Sequence, residues 1–322
     1  MRLEDIGFYT LSDYRAGQAS IDSPMWRCEL ILTDRCNFKC PYCRGVKPEY
    51  RGSLSWQEAC ETVDYWMVDG LKNIRFSGGE PTLWHGLREL VERCRHGSVE
   101  RIAISTNGSA ETSHYLGLIH AGVNDISISL DACFAQTGNK MAGREGVWER
   151  IVENIRVLST KTYVTVGMVF TEDNIADCVN AVLFADSLGV ADIRVVPSAQ
   201  YNKALAKLSE LPARILSKYP ILKYRITNVG LGRNVRTMRA SDTDRCHLVK
   251  DDSVIMKGLH FPCIIYMREG GEPIGRVSPD MRTERLNWFC NHNSQQDPIC
   301  KEMCLDVCID YNNKAELLGG CK

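Results

Sequence analysis

The sequence predicts an α/β fold in which a parallel sheet covered by helices is followed by a small cysteine-rich region. From about residue 26 to 200, six short apolar runs alternate with amphipathic stretches. That is the pattern of parallel strands packed under helices. Beyond residue 245 the apolar periodicity fades and cysteines crowd together, so metal ligation is expected to substitute for a core there. The expected organisation is an amino-terminal segment (1–25), a barrel (26–200), a bridging region (201–245) and a cysteine-rich domain (246–322).

The strand candidates are CELILT (28–33), NIRFS (73–77), RIAIST (101–106), DISISL (125–130), YVTVGMVF (163–170) and DIRVVP (192–197). Helices are expected at 55–70, 85–95, 113–120, 146–159, 174–188 and about 202–218. The first opens on a capping box of Ser55 and Glu58, which satisfies two backbone donors reciprocally. Gly70, Gly97, Gly122 and Gly189 mark helix ends. Right-handed crossovers then give six βα units, the number that suits an open, partial (β/α)6 barrel. Sites in such barrels collect at the C-terminal ends of the strands.

The chain has 322 residues, with 39 basic against 40 acidic side chains. A formal charge of -1 gives no reason to expect a nucleic-acid or anionic-membrane surface. No run approaches membrane-span length, and the first residues lack a basic-then-apolar secretory pattern. A cytoplasmic protein is expected. Fifteen cysteines, an odd number, then favour metal or iron–sulfur ligation over disulfides.

CNFKCPYC places Cys36, Cys40 and Cys43 at C-x3-C-x2-C spacing on a loop after the first strand. Three soft ligands can hold three irons of a four-iron cluster and leave the fourth open. Structural zinc, which wants four ligands, fits the triple poorly; buried thiols are the other reading. With Tyr42 before the last cysteine, the motif resembles the cluster loop of the radical S-adenosylmethionine (SAM) enzymes, which commonly use a TIM-like (β/α)6 barrel.

The resemblance implies further site residues. FSGGEP follows strand two, and Gly78, Gly79 and Glu80 would receive the SAM amino group. STNG ends strand three and SLD ends strand four, making Thr106 and Ser129 candidates for the ribose; ordinary polar strand ends are the alternative. VGMVFTEDN ends strand five, where apolar residues would line the adenine. Relatives with accessory clusters often carry an Arg-Gly pair after strand four. Here Met141-Ala142-Gly143-Arg144 stands instead, with Arg144 as the substitute contact.

Cys246, eleven residues, Gly258, four residues and Cys263 resemble the opening of a SPASM domain, which carries auxiliary clusters. The intervening residues read as a hairpin with a thiol at each end. The later cysteines depart from that family's spacing: Cys290, Cys300, Cys304, Cys308 and Cys321 are separated by nine, three, three and twelve residues. Matched in order, Cys246, Cys263 and Cys308 would serve one cluster, and Cys290, Cys300, Cys304 and Cys321 a second. One cluster, or a zinc site, is the fallback. Cys28, Cys60, Cys94 and Cys178 are expected to be inert core or strand thiols. Cys133, just past strand four, is either an inert loop thiol or a hydrogen-atom donor facing the cavity. The seven histidines show no ligand spacing.

The resemblance implies a [4Fe-4S] cluster that reductively cleaves SAM to a 5'-deoxyadenosyl radical, which abstracts hydrogen from a C–H bond. One or two auxiliary [4Fe-4S] clusters and an electron donor such as flavodoxin or ferredoxin are implied with it. The substrate expected first is a peptide or protein, crosslinked, epimerised or oxidised, although no room is expected before the barrel for a separate leader-binding domain. A sugar, aminocyclitol or nucleotide is the alternative. A non-catalytic iron–sulfur scaffold is a third reading, which GGE after the thiol triple argues against.

Overall fold

The computed structural model describes residues 13–97, 99–197 and 203–318. After α1 (Asp13–Ala16), β1 (Arg27–Thr33) is followed by α2 (Trp56–Val68), β2 (Asn73–Gly78), α3 (Leu87–His96), β3 (Arg101–Thr106), α4 (Thr112–Ala121) and β4 (Asp125–Ser129). Then come α5 (Ala135–Ala142), α6 (Trp148–Ser159), β5 (Tyr163–Phe170), α7 (Cys178–Ser187), β6 (Asp192–Pro197), α8 (Lys203–Lys207), α9 (Ala213–Lys218) and α10 (Pro220–Gly230). The last part holds β7 (Asp252–Met256), β8 (Leu259–Phe261), α11 (Ile264–Arg268), β9 (Gly275–Arg276), α12 (Met281–Asn291), α13 (Pro298–Met303) and α14 (Asp306–Leu317). The strand order is β6-β5-β4-β3-β2-β1-β7-β8-β9. The sheet does not close, and β1 to β6 form the open TIM-like partial barrel that the six apolar runs predict.

By their contacts the residues fall into two compact units. One takes in the chain up to Arg35, Gly45–Ala103 and everything from Arg236 onward; the other takes in Cys36–Arg44 and Ile104–Val235. In the first, β1 pairs in parallel with β2, Cys28 opposite Ile74, and on its other edge with β7, Cys28 opposite Ser253. The tail therefore contributes a strand beside β1. The expected hairpin is β7 and β8, turning through Lys257 and Gly258, both at positive φ. Two left-handed residues match the twist of the flanking strands. Ile31, Tyr50, Val254, Met256, Phe261 and Met267 pack together beneath it. Buried Arg285 donates to the carbonyls of Val249, Asp252, Phe261 and Pro262. A guanidinium there ties helix α12 to the hairpin through backbone acceptors that would otherwise be unpaired.

In the second unit β4, β5 and β6 run parallel, with Ile126, Ile128, Val164, Val166 and Met168 fully buried. The Ser55 capping box is formed, with Glu58 N–H on Ser55 Oγ and Ser55 N–H on Glu58 Oε2. Three local expectations differ. Helix α5 has no apolar periodicity to announce it. The single helix expected near 202–218 is broken, because Pro212 lacks the N–H a continuous helix needs, and a further helix, α10, opens at Pro220. The tail, expected to be irregular, holds α12, α13 and α14, the last burying Val307, Ile309, Tyr311 and Ala315.

Candidate functional site

In the second unit, Cys36, Cys40 and Cys43 lie on one loop, the outer two exposed and Cys40 half-buried. The loop is held mainly through its backbone. Lys39 N–H donates to the Ala142 carbonyl at 3.0 Å, and Arg144 Nη1 donates to the Asn37 carbonyl at 3.1 Å. Asn107 Nδ2 bonds Asn37 Oδ1 at 2.8 Å, and Asn37 Nδ2 donates to Ser109 Oγ at 2.9 Å. Gly143 (φ +59°) presses on the loop so closely that a Cβ would stand under 3.0 Å from the Lys39 carbonyl. Arg144, expected at the cofactor, thus braces the loop.

Tyr42 donates from its hydroxyl to Asp131 Oδ2 at 2.5 Å. Asp131 Oδ1 accepts from Val169 N–H at 2.7 Å, and Asn174 Nδ2 donates to the carbonyls of both Asp131 and Val169. One buried carboxylate thereby links the thiol loop to the ends of β4 and β5. Burial raises Asp131 to about 6, against the lowering effect of the Tyr42 and Val169 bonds. Burial, then the Asp131 charge, pushes the Tyr42 phenol far up; burial lifts the Cys40 thiol to about 11.

Thr106 is buried, with Oγ1 against Tyr115 Oη at 2.9 Å while accepting Gly108 N–H. These bonds close the STNG turn and leave the hydroxyl inside the fold. Ser129 is exposed at the end of β4. Cys133 is half-buried, its thiol raised by burial and then by the Asp177 carboxylate.

In the first unit, the GGE turn lies against the backbone that follows β1. Gly79 N–H donates to the Thr33 carbonyl at 2.7 Å and Glu80 N–H to the Arg35 carbonyl at 2.8 Å. A Cβ on Gly78 or Gly79 would meet those carbonyls at under 3.0 Å, so only glycine fits. The fully buried Glu80 accepts from Thr82 N–H and hydroxyl through Oε1. Arg268, at the end of α11, donates to the Gly45 carbonyl at 2.8 Å and the Gly78 carbonyl at 3.3 Å. No spacing in the sequence announces that clamp.

The same unit brings tail thiols together. Cys246 is raised to about 12 by burial and then by Cys263 and Cys308; Cys263, raised to about 11, also feels Cys308. The bond between Cys304 and Cys308 raises the Cys304 thiol and lowers that of Cys308. Burial, then Cys246 and Cys263, pushes the Cys300 thiol far up. Cys290 is exposed at the end of α12, and Cys321 lies outside the described residues. Among the described residues Cys246, Cys263, Cys304 and Cys308 influence one another electrostatically from either side of the hairpin and from α13 and α14, and Cys300 on α13 stands beside them and against His292.

A three-thiol loop at the end of the first strand of an open α/β barrel, with a glycine-carboxylate turn after the second, defines an iron–sulfur enzyme class. The sequence pattern of the family described as the Radical SAM superfamily matches residues 30–185. These residues belong to the radical SAM superfamily, which implies a four-iron cluster and SAM. The donor set fits: two thiols open to solvent and a third half-buried between them.

Similar proteins include Molybdenum cofactor biosynthesis protein 1 of Drosophila melanogaster, 33% identical over 160 residues, 47% of this chain and 28% of that protein. A GTP 3',8-cyclase of Pelotomaculum thermopropionicum is 32% identical over 212 residues, 58% of this chain and 65% of the relative. The chain thus spans less than two thirds of either relative's length. Among solved structures, Streptococcus suis SuiB bound to SAM superposes with a TM-score of 0.59 at 15% identity, covering 87% of this chain and 67% of SuiB. The structure of anSMEcpe with bound AdoMet and a Cp18Cys peptide gives 0.58 at 16% identity, covering 92% and 97%. These two likenesses concern the fold. Among the described residues no helix is long and apolar enough to cross a membrane.

Proposed function

We propose that this chain cleaves SAM reductively and directs the resulting radical to a C–H bond of a peptide or protein, producing a crosslink, an epimer or an oxidised side chain. The observation that carries the reading is the thiol loop itself, three ligands on eight residues with the outer two exposed. Cys36, Cys40 and Cys43 would hold the cluster, and Gly78, Gly79 and Glu80 the amino acid end of SAM. When bound, that pair supplies one-electron cleavage to a 5'-deoxyadenosyl radical. The protein's part is orientation. Asp131 fixes Tyr42, Arg144 and Ala142 fix the loop backbone, and Arg268 fixes the Gly78 carbonyl.

In the tail, Cys246, Cys263, Cys304 and Cys308 would hold one auxiliary four-iron cluster, since four thiolates complete one. A flavodoxin or ferredoxin would supply electrons. Peptide chemistry is supported by the peptide-bound anSMEcpe among the structures of like fold. The second reading, a nucleotide substrate, is favoured by the GTP 3',8-cyclases among the sequence relatives.

Anaerobic turnover with SAM and reductant decides between them. Peptides encoded beside the gene should raise 5'-deoxyadenosine formation above the substrate-free rate and leave with changed mass. A GTP-dependent increase with a cyclised nucleotide product would replace the peptide reading.

A further inference from the structure

The fifth tail thiol, Cys300, is surplus to a four-thiolate cluster and meets nitrogen and oxygen donors as well as thiols. Its Sγ lies 3.5 Å from His292 Nε2, and that nitrogen is 3.9 Å from Asp297 Oδ2. The three ligand atoms all fall within 4.8 Å of one another. Zinc bonds of about 2.3 Å to sulfur and 2.0–2.1 Å to nitrogen, at tetrahedral angles, put the two donors about 3.5 Å apart. We propose that His292, Asp297 and Cys300 form a mononuclear site for a divalent cation of the zinc class, beside the iron-binding thiols and sharing none of them.

The supporting shell is built as metal sites require. Asp297 Oδ2 accepts from the Tyr266 hydroxyl at 3.0 Å, and Oδ1 accepts from Cys300 N–H at 2.8 Å, so the carboxylate is fixed between two donors. Trp288 stacks on the His292 ring at 3.8 Å and 17°, and Tyr266 meets both rings edge-on. The imidazole is thereby held in one plane, and all three donor side chains are only partly exposed. Outer partners that orient ligands in this way are worth about 10–100-fold in metal affinity. A mixed nitrogen, oxygen and sulfur set selects a borderline ion such as zinc over magnesium or calcium. With three protein ligands, the fourth position is left for water or a substrate group.

The site stands whether or not the tail carries iron, and the test separates the two questions. Full-length protein, purified and reconstituted anaerobically, is assayed for iron and zinc together. Wild type should hold about one zinc per chain beside its iron. His292→Ala, Asp297→Asn and Cys300→Ser should each lose zinc and keep the iron of wild type. Protein grown on cobalt should show a sulfur-to-cobalt charge-transfer band that Cys300→Ser abolishes. Tyr266→Phe, which leaves every ligand in place, should bind zinc about tenfold more weakly; it serves if a ligand variant does not fold. A wild type that binds neither zinc nor cobalt overturns the proposal. So does a Cys300→Ser protein that loses iron while His292→Ala keeps its zinc.

Discussion

The two thiol groups of this chain are built in opposite ways. Cys36, Cys40 and Cys43 share one loop, with the outer two exposed. Cys246, Cys263, Cys304 and Cys308 come from a hairpin and two helices, and burial raises Cys246 to about 12 and Cys263 to about 11. Ligands on one loop are set by that loop's backbone and leave a corner of a cluster free. Ligands gathered from separated elements close around it and make those elements depend on one another. The first arrangement suits exchange of an outside ligand, the second a permanent group.

Substitutions at the close backbone approaches should break the loop most severely. Gly143→Ala puts a Cβ against the Lys39 carbonyl at a left-handed φ. A cost of about 1–3 kcal/mol is expected from strain alone. SAM cleavage should fall at least about 100-fold, because a displacement near 1 Å is that costly, while tail iron by metal analysis stays unchanged. Equal iron loss from both groups would erase the distinction.

Arg268→Ala comes next. It removes a charged donor from the Gly78 and Gly45 carbonyls, worth about 1.5–3 kcal/mol. SAM affinity measured by equilibrium dialysis should weaken about tenfold or more, with iron content unchanged. Unaltered affinity would show that the clamp does not set the GGE turn.

Acidity should separate the two regions further. Asp131 sits near 6 in the fold, above its usual range, so the folded state gains protons first as pH falls; its contribution to stability rises from pH 7 toward 4. His260 is lowered to about 4 by burial and then by Arg285. There the unfolded state gains protons first, so its contribution falls from about pH 6.5 toward 4. Hydrogen exchange between pH 7 and 5 should show tail amides opening as acid is added, and His260→Asn should flatten that trend. Asp131→Asn should flatten the opposite trend around β4 and β5.

The sequence announced what depends on local pattern. All six barrel strands, the Ser55 capping box and the β7–β8 hairpin follow from periodicity and turn chemistry within a few residues. The thiol loop and GGE turn were equally visible, because their ligands are neighbours in the chain. What escaped depends on long-range pairing. Nothing near Arg268 predicts that it reaches Gly78, and nothing near Thr106 predicts its bond to Tyr115. By sequence Asp131 and Asn174 are parts of strand-end motifs, whereas their hydrogen bonds join three loops. The tail helices were hidden by cysteine spacing, which draws the eye from the apolar positions of α14.

The smallest effect is expected at Cys133. If it donates a hydrogen atom in an epimerisation, Cys133→Ala should cleave SAM normally but deliver no solvent deuterium to product. Unchanged deuterium incorporation would remove it from the mechanism.

The loop triple should hold an open cluster independent of the tail, and one variant tests it. Cys36, Cys40 and Cys43 are replaced together by alanine, and the reconstituted protein is analysed by iron counting and electron paramagnetic resonance with and without SAM. Loss of about four irons and of every SAM-induced spectral change is expected, with the remaining iron signal intact. A spectrum that still shifts on adding SAM, or a protein left with no iron at all, would contradict it.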